Sequence, residues 1–391
     1  MPLLYGEVFD VIFLKIHGLN LPSREFFVFF SLMFNQITQT FIDLVKIDSP
    51  TGDELKMAKF VMEKLAGLGI VAEMDAVGNV TARVKGDARK EVLLLSAHLD
   101  TVEPGRGIEP VVEPDGRIHS KGNTILGADN KASIAAIFEV LSVFEKEDYS
   151  HNHPIDLVFT VGEEYGSRGV LGLDYGKIRA KRGYIFDSSD GEIGDIEIAA
   201  PFYNKLEIWL TGRASHSMDP ELGTNVLPVM ASAMTKITLG RVNDGTLVNL
   251  GIITAGTGVN VIPADVEVIG EVRSFDEEEL ENTTKEIFDT FVDEAKNKGI
   301  EVETAITREY DGYEFSTKDE FLLETKENLR KIGLEPSTLK VWGCSDGSIF
   351  NQHGIKVLNL VDGGRDSHSV DEEITVKELK KLAKVIQVLV G

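Results

Sequence analysis

Four stretches of this 391-residue chain share one layout: an apolar run, then residues able to bind metal or move protons. Residues 93–97 run into His98-Leu-Asp100, and residues 157–161 run into Gly-Glu163-Glu164. Residues 184–186 run into Asp187, and residues 357–361 lead to Asp366-Ser-His368. Asp129 joins them from the loop 126–131, Leu-Gly-Ala-Asp-Asn-Lys, just ahead of an apolar helical stretch. Taken singly, each group has an ordinary reading. His98 and Asp100 could be a hydrogen-bonded surface pair, and Glu163-Glu164 a solvated loop tip. Asp129 could face a helix N-terminus, and His368 could be a satisfied loop histidine. Gathered in one place, these carboxylates would repel one another and protonate unless cations neutralised them. Histidine nitrogen mixed with carboxylate oxygen, and no cysteine, suits zinc at a catalytic site, with manganese or cobalt as less frequent occupants. One of two adjacent glutamates can then be a ligand. The other stays free to take a proton from an attacking water and pass it to a leaving group. Asp100, two residues past His98, would reach the far ring nitrogen of that histidine and fix its tautomer.

The elements that must position these groups are legible from periodicity. Residues 92–96, 155–161, 184–186 and 357–360 are the short continuous apolar runs of strands buried on both faces. They alternate with helical patterns at 34–45, 54–68, 132–144 and 376–390. The expected fold class is α/β: a mixed, mostly parallel sheet with helices on both faces. Ligands of open α/β sheets bind outside the carboxyl ends of the strands, which is where this layout places its polar groups. The middle of the chain reads differently. A strand at 205–210, a helix at 225–237, strands at 246–253 and 266–272, a helix at 277–298 and a strand at 301–308 give the order βαββαβ of a ferredoxin-like unit. The expected organisation is an inserted α+β lid and dimerisation domain at 203–311, within a catalytic domain of residues 35–202 plus 312–391. Residues 1–34 form an extension to which the sequence assigns no role.

Composition narrows the function classes. A formal net charge of -24 argues against nucleic acid and anionic membrane as partners, because both need clustered Lys and Arg. Residues 26–34 form an apolar run of nine, far short of the roughly 20 residues that span a bilayer. Glu7 and Asp10 precede Lys15, unlike the basic start of a secretory signal, and Met33 offers an alternative start. The single cysteine, Cys344, allows neither an intrachain disulfide nor a cysteine zinc site, and it suits a cytoplasmic location.

The motifs Ser-Ala-His98-Leu-Asp100-Thr-Val, Gly-Ala-Asp129-Asn-Lys-Ala, Val-Gly-Glu163-Glu164-Tyr-Gly and Asp366-Ser-His368-Ser-Val-Asp-Glu-Glu together resemble the peptidase T-like branch of the dizinc peptidases. That clan also holds glutamate carboxypeptidases, aminoacylases and succinyl-diaminopimelate desuccinylase. The resemblance runs from about Asn35 to the C-terminus. It implies two zinc ions per chain. His98 and Asp187 would bind one, Glu164 and His368 the other, and Asp129 would bridge both. It implies Glu163 as general base, Asp100 as the residue orienting His98, and a cis peptide at Asp129–Asn130. The family often has Asp-Asp-Lys where this chain has Asp129-Asn130-Lys131; the second residue is not a ligand. Ala-Ser-His216-Ser resembles the family's lid histidine motif, so His216 would stabilise the oxyanion, across a dimer interface in several members. Asn260 and Arg273 resemble the residues that hold a substrate carboxylate, a task an Arg fork suits.

Two rival readings come from other classes. Gly-Cys344-Ser345-Asp-Gly fits the nucleophile-elbow pattern, with Asp362 and His368 following in the order of an α/β-hydrolase triad. A serine hydrolase of that kind leaves His98, Asp129 and Glu163-Glu164 unused. A non-catalytic binding protein with a closing lid has no need of an acid at position 163. No G-x-x-x-x-G-K-[ST] loop is present. The expected function is metal-assisted hydrolysis of peptide bonds in short peptides, with a di- or tripeptide aminopeptidase as first reading. Carboxypeptidase and N-acyl-amino-acid deacylase are the alternatives within the clan.

Overall fold

The computed structural model describes residues 35–188 and 191–391. The apolar run at 26–34 and the alternative start at Met33 lie outside the described residues.

The strands expected at the site lie side by side. They are β1 (Leu93–His98), β2 (Ile155–Thr160), β3 (Arg182–Ser188) and β4 (Lys356–Val361). Their order in the sheet is β2-β1-β3-β4, and all three pairings are parallel. Their carboxyl ends therefore share one edge. Antiparallel strands extend the sheet on both sides: Val80–Val84 beside β2, and Ile196–Ala200 beside β4. Each strand is apolar throughout because both faces are covered, and side chains sort by parity. Leu93 and Leu95 join one core cluster, while Leu94 joins the other with Val158 and Ile185. The first cluster is closed by the helices Gln36–Val45, Ala128–Lys146 and Val376–Val390, and the second by Asp346–Gln352. Each fully buried Leu or Ile contributes about 1.5–3 kcal/mol. Thr375 and Glu378 form a capping box that starts the last helix.

Between Ile196–Ala200 and Tyr313–Glu314 the chain builds a second sheet with its own core. Leu206, Ile208 and Leu210 alternate along Phe202–Thr211 and pack with Val266, Val268, Leu280 and Phe291. The helices Leu227–Met234 and Glu277–Ala295 pack against each other, and the latter lies on the sheet. Asp276 caps the second helix by accepting from the Glu279 N–H.

Three expectations need correction. The expected order of four strands omits Gly240–Asn243, which pairs with Thr246–Ala255 and makes a five-stranded sheet. All four of its residues are exposed, so no buried face marks it in the sequence. The helices expected at 225–237 and 277–298 are shorter, at Leu227–Met234 and Glu277–Ala295; Lys296 leaves helical geometry at ψ 131. A three-stranded sheet of Pro110–Val112, Arg117–Ser120 and Glu373–Thr375 was not expected at all.

Candidate metal centre and active site

The strand ends deliver the five expected metal-binding side chains to one place. His98 is the last residue of β1 and Asp187 the sixth of β3. Glu164 follows β2 by one short turn, and His368 lies in the loop after β4 with φ 65°. Asp129 opens the helix Ala128–Lys146 at a cis Asp129–Asn130 peptide, with non-helical backbone at both residues. His98 Nε2 lies 3.0 Å from Asp129 Oδ1 and 3.4 Å from Asp187 Oδ1. His368 Nε2 lies 3.3 Å from Asp129 Oδ2 and 2.9 Å from Glu164 Oε2. Asp129 thus turns one oxygen to each histidine. The result is two groups that share it: His98, Asp129 and Asp187, and Asp129, Glu164 and His368, with ligand atoms within 4.8 Å of one another in each. One imidazole and two carboxylates per group, without sulfur, is a donor set that fits a divalent cation of the zinc, manganese or cobalt type.

The electrostatics of these side chains agree with that fit. Burial pushes the Asp187 and Glu164 carboxyls up; Asp129 adds to both shifts, while the nearby histidines oppose them. Burial pushes Glu163 well above the usual carboxylate value, with Asp187, Asp346 and Glu164 adding repulsion. Burial works against protonation of His98, but Asp187, Asp100 and Asp129 hold its pKa well above the ordinary histidine value. Hydrogen bonds to Asp129 and Glu164 raise His368 to about 10. Carboxylates this close need protons or cations between them.

Asp100 is in place, with a different emphasis from the one expected. The closer partner of His98 Nδ1 is the Asp100 backbone carbonyl, at 3.0 Å; the carboxylate stands at 3.5 Å. The carboxylate instead accepts from the N–H groups of Glu163 and Glu164, at 3.0 and 3.2 Å, and from the Thr51 hydroxyl at 2.8 Å. It therefore ties the turn carrying both glutamates to the turn carrying His98.

Four supporting residues were not singled out from sequence. Glu372 accepts from the backbone N–H groups of Leu126, Gly127 and Asp129, at 2.7, 2.6 and 3.1 Å, and so holds the loop that presents Asp129. Asn130 donates to Asp187 Oδ1 at 2.7 Å. Asn359 accepts from the Asp187 N–H at 3.0 Å. The Thr160 hydroxyl donates to the buried Asp346 at 2.5 Å. The available signal was a polar residue inside a buried apolar run: Asn359 in Val-Leu-Asn-Leu-Val and Thr160 at the end of β2.

A cavity of about 1120 Å³ opens over both groups. Glu163, Glu164 and His368 line it from the larger sheet, and Tyr203, Lys205, Arg273 and Tyr310 line it from the second unit. Arg273 packs its guanidinium over Tyr203, 4.4 Å from the ring centre, and donates to the Trp342 carbonyl at 2.7 Å. His216 and Asn260 do not reach this cavity. They are exposed and face each other, with Nε2 of His216 3.5 Å from Nδ2 of Asn260. Ser345 lines the cavity, but its hydroxyl accepts from the Gly347 N–H and caps the helix Asp346–Gln352. Among the described residues no hydrogen bond joins it to His368, which faces Asp129 and Glu164 instead. The geometry of a serine triad is absent there.

The profile of Peptidase family M20/M25/M40 matches residues 94–391. This chain belongs to that family. It is a peptidase, a hydrolase acting on peptide bonds. Aminopeptidase PepT from Bacillus cereus superposes with a TM-score of 0.84 at 33% identity, covering 91% of this chain and 97% of that one. A tripeptidase from Staphylococcus aureus gives a TM-score of 0.86 at 31% identity, with the same coverage of the two chains. The uncharacterized protein YqjE of Bacillus subtilis is 33% identical over 365 residues, 91% of this chain and 97% of its own length. The peptidase T-like resemblance read from the motifs and the mixed α/β fold both stand. Among the described residues no helix is long and apolar enough to cross a membrane.

Proposed function

We propose that this M20 peptidase is a metal-dependent aminopeptidase acting on di- and tripeptides. The observation that carries the metal reading is Asp129, whose two oxygens face two histidines in two adjoining groups. The aminopeptidase and tripeptidase reading is supported by the two solved relatives above 30% identity. His98 and Asp187 would hold one ion, Glu164 and His368 the other, with Asp129 shared. Zinc suits these donors, with cobalt or manganese as alternatives. When bound, two such ions polarise the scissile carbonyl and ease deprotonation of water.

The chain's own residues carry the rest. Glu163 lines the cavity and lies outside both ligand groups. It takes the proton of the attacking water and returns it to the leaving amine. Asp100 holds the backbone of Glu163 and Glu164, which fixes the base against its neighbouring ligand. Arg273, whose guanidinium is paired with Glu271 at 3.1 Å, would exchange that partner for the substrate carboxylate. Residues 203–311 act as the lid, and lid closure excludes water from the cavity. His216 and Asn260 are exposed and do not line the cavity of their own chain, which fits delivery to a second copy in a homodimer built through the lid. There His216 would stabilise the oxyanion and Asn260 would help hold the substrate carboxylate. The substrate is a short peptide, and a cytoplasmic setting suits the single thiol of Cys344.

The test is an assay of the zinc-loaded protein on free, N-blocked and C-amidated tripeptides, before and after chelation. Cleavage of free and C-amidated peptides, lost on chelation and restored by metal, is expected. Cleavage of N-blocked peptides alone would replace this reading with a carboxypeptidase or deacylase.

A further inference from the structure

The cavity over the two groups contains a further buried carboxylate. Glu197 is 5% exposed, lines the cavity beside Asp187, Ser188 and Asn359, and belongs to neither ligand group. It lies on the strand Ile196–Ala200, directly opposite Asn359 of β4. The Asn359 amide nitrogen donates to Glu197 Oε2 at 2.7 Å and to the Asp187 carbonyl at 3.2 Å. Its oxygen accepts from the Asp187 N–H at 3.0 Å. A single amide therefore clamps Glu197 to the backbone of the residue that completes the group of His98 and Asp129.

This position has a chemical meaning if the enzyme is an aminopeptidase, the reading on which the inference rests. In a peptide with a free N-terminus the ammonium nitrogen is two bonds from the scissile carbonyl carbon. Its binding site must therefore adjoin the reacting centre. Glu197 lines the cavity from the strand next to β4, while the second unit lines it with Arg273, which pairs with Glu271, and Lys205, which pairs with Glu207. Two other cavity carboxylates are less suited. Glu163 is needed for proton transfer, and Glu309 stands on the same unit as Arg273 and Lys205. We propose that Glu197, anchored by Asn359, receives the substrate α-ammonium and selects peptides with a free N-terminus. A salt bridge formed in both the bound substrate and the transition state lowers KM and leaves kcat nearly unchanged.

The experiment compares wild type with Glu197→Gln on trialanine, with N-acetyl-trialanine as substrate or competitive inhibitor. Loss of a charged hydrogen bond should raise KM for trialanine about 10- to 100-fold. The kcat, the bound metal and the binding of N-acetyl-trialanine should stay close to wild type. An unchanged KM, or a fall in kcat with equal losses on both peptides, overturns the proposal and leaves Glu197 a structural residue. If Glu197→Gln fails to fold, Glu197→Asp carries the test through alaninamide and lactamide, inhibitors that differ in amine against hydroxyl. The shortened acid should weaken alaninamide and spare lactamide; an unchanged ratio overturns the proposal. Failure of the aminopeptidase reading looks different, because wild type itself would then reject trialanine.

Discussion

Glu163 and Glu164 are neighbours in sequence with different surroundings. Glu164 meets His368, whereas Glu163 lines the cavity outside both ligand groups. The Asp100 carboxylate, holding both N–H groups, keeps that division fixed. Glu163→Gln should lower kcat by about 10²- to 10⁴-fold while bound metal stays at the wild-type level. Steady-state kinetics with metal analysis checks this, and surviving turnover would remove Glu163 from the mechanism. The histidines give a pH prediction. Hydrogen bonds to Asp129 and Glu164 push His368 up to about 10, and the neighbouring carboxylates raise His98 as well. Each binds metal only through a neutral nitrogen, so the raised proton affinity opposes metal binding. Zinc binding should therefore release protons, and affinity should fall as pH is lowered. Calorimetry in two buffers of different ionisation heat measures the release; binding without it would count against these ligands.

At the scale of elements, much of the site was legible because β1 to β4 are continuous apolar runs with polar residues at their ends. Parallel strands with such ends can gather their side chains on one edge only. What escaped the sequence lacked that pattern. Gly240–Asn243 has no buried face, and the three-stranded sheet is built from strands of three or four residues. The partners of Asp100 could not be read either, since spacing places it near His98 and does not reveal the N–H groups that fold back onto it. Glu372 escaped for a similar reason. It lies in an acidic run that suggests solvent, yet burial pushes its carboxyl up to about 7 while the N–H groups of Leu126, Gly127 and Asp129 oppose that shift. Glu372→Gln should weaken metal binding about 10- to 100-fold, as loss of a supporting contact commonly does. Competition with a metallochromic chelator measures it. Unchanged affinity would show that the loop holds Asp129 without this acid.

For the whole molecule, the larger sheet and the second unit both line one cavity, and under the proposed function the second unit would bring Arg273 to a metal site it does not itself contain. Arg273 arrives within one chain. His216 and Asn260 do not, and a homodimer would supply them. Mixing Glu163→Ala with His216→Ala protein, each inactive alone, should then restore activity in the hybrid dimers, because one cavity in each hybrid has both residues intact. No recovery under conditions of subunit exchange would show that His216 does not act across an interface.

The shared carboxylate of Asp129 is the centre of the account, and metal stoichiometry tests it most directly. Wild type dialysed against zinc should hold two ions per chain by elemental analysis. Asp129→Ala should hold no more than one, with turnover lost. Two ions retained by Asp129→Ala, with turnover intact, would contradict the account.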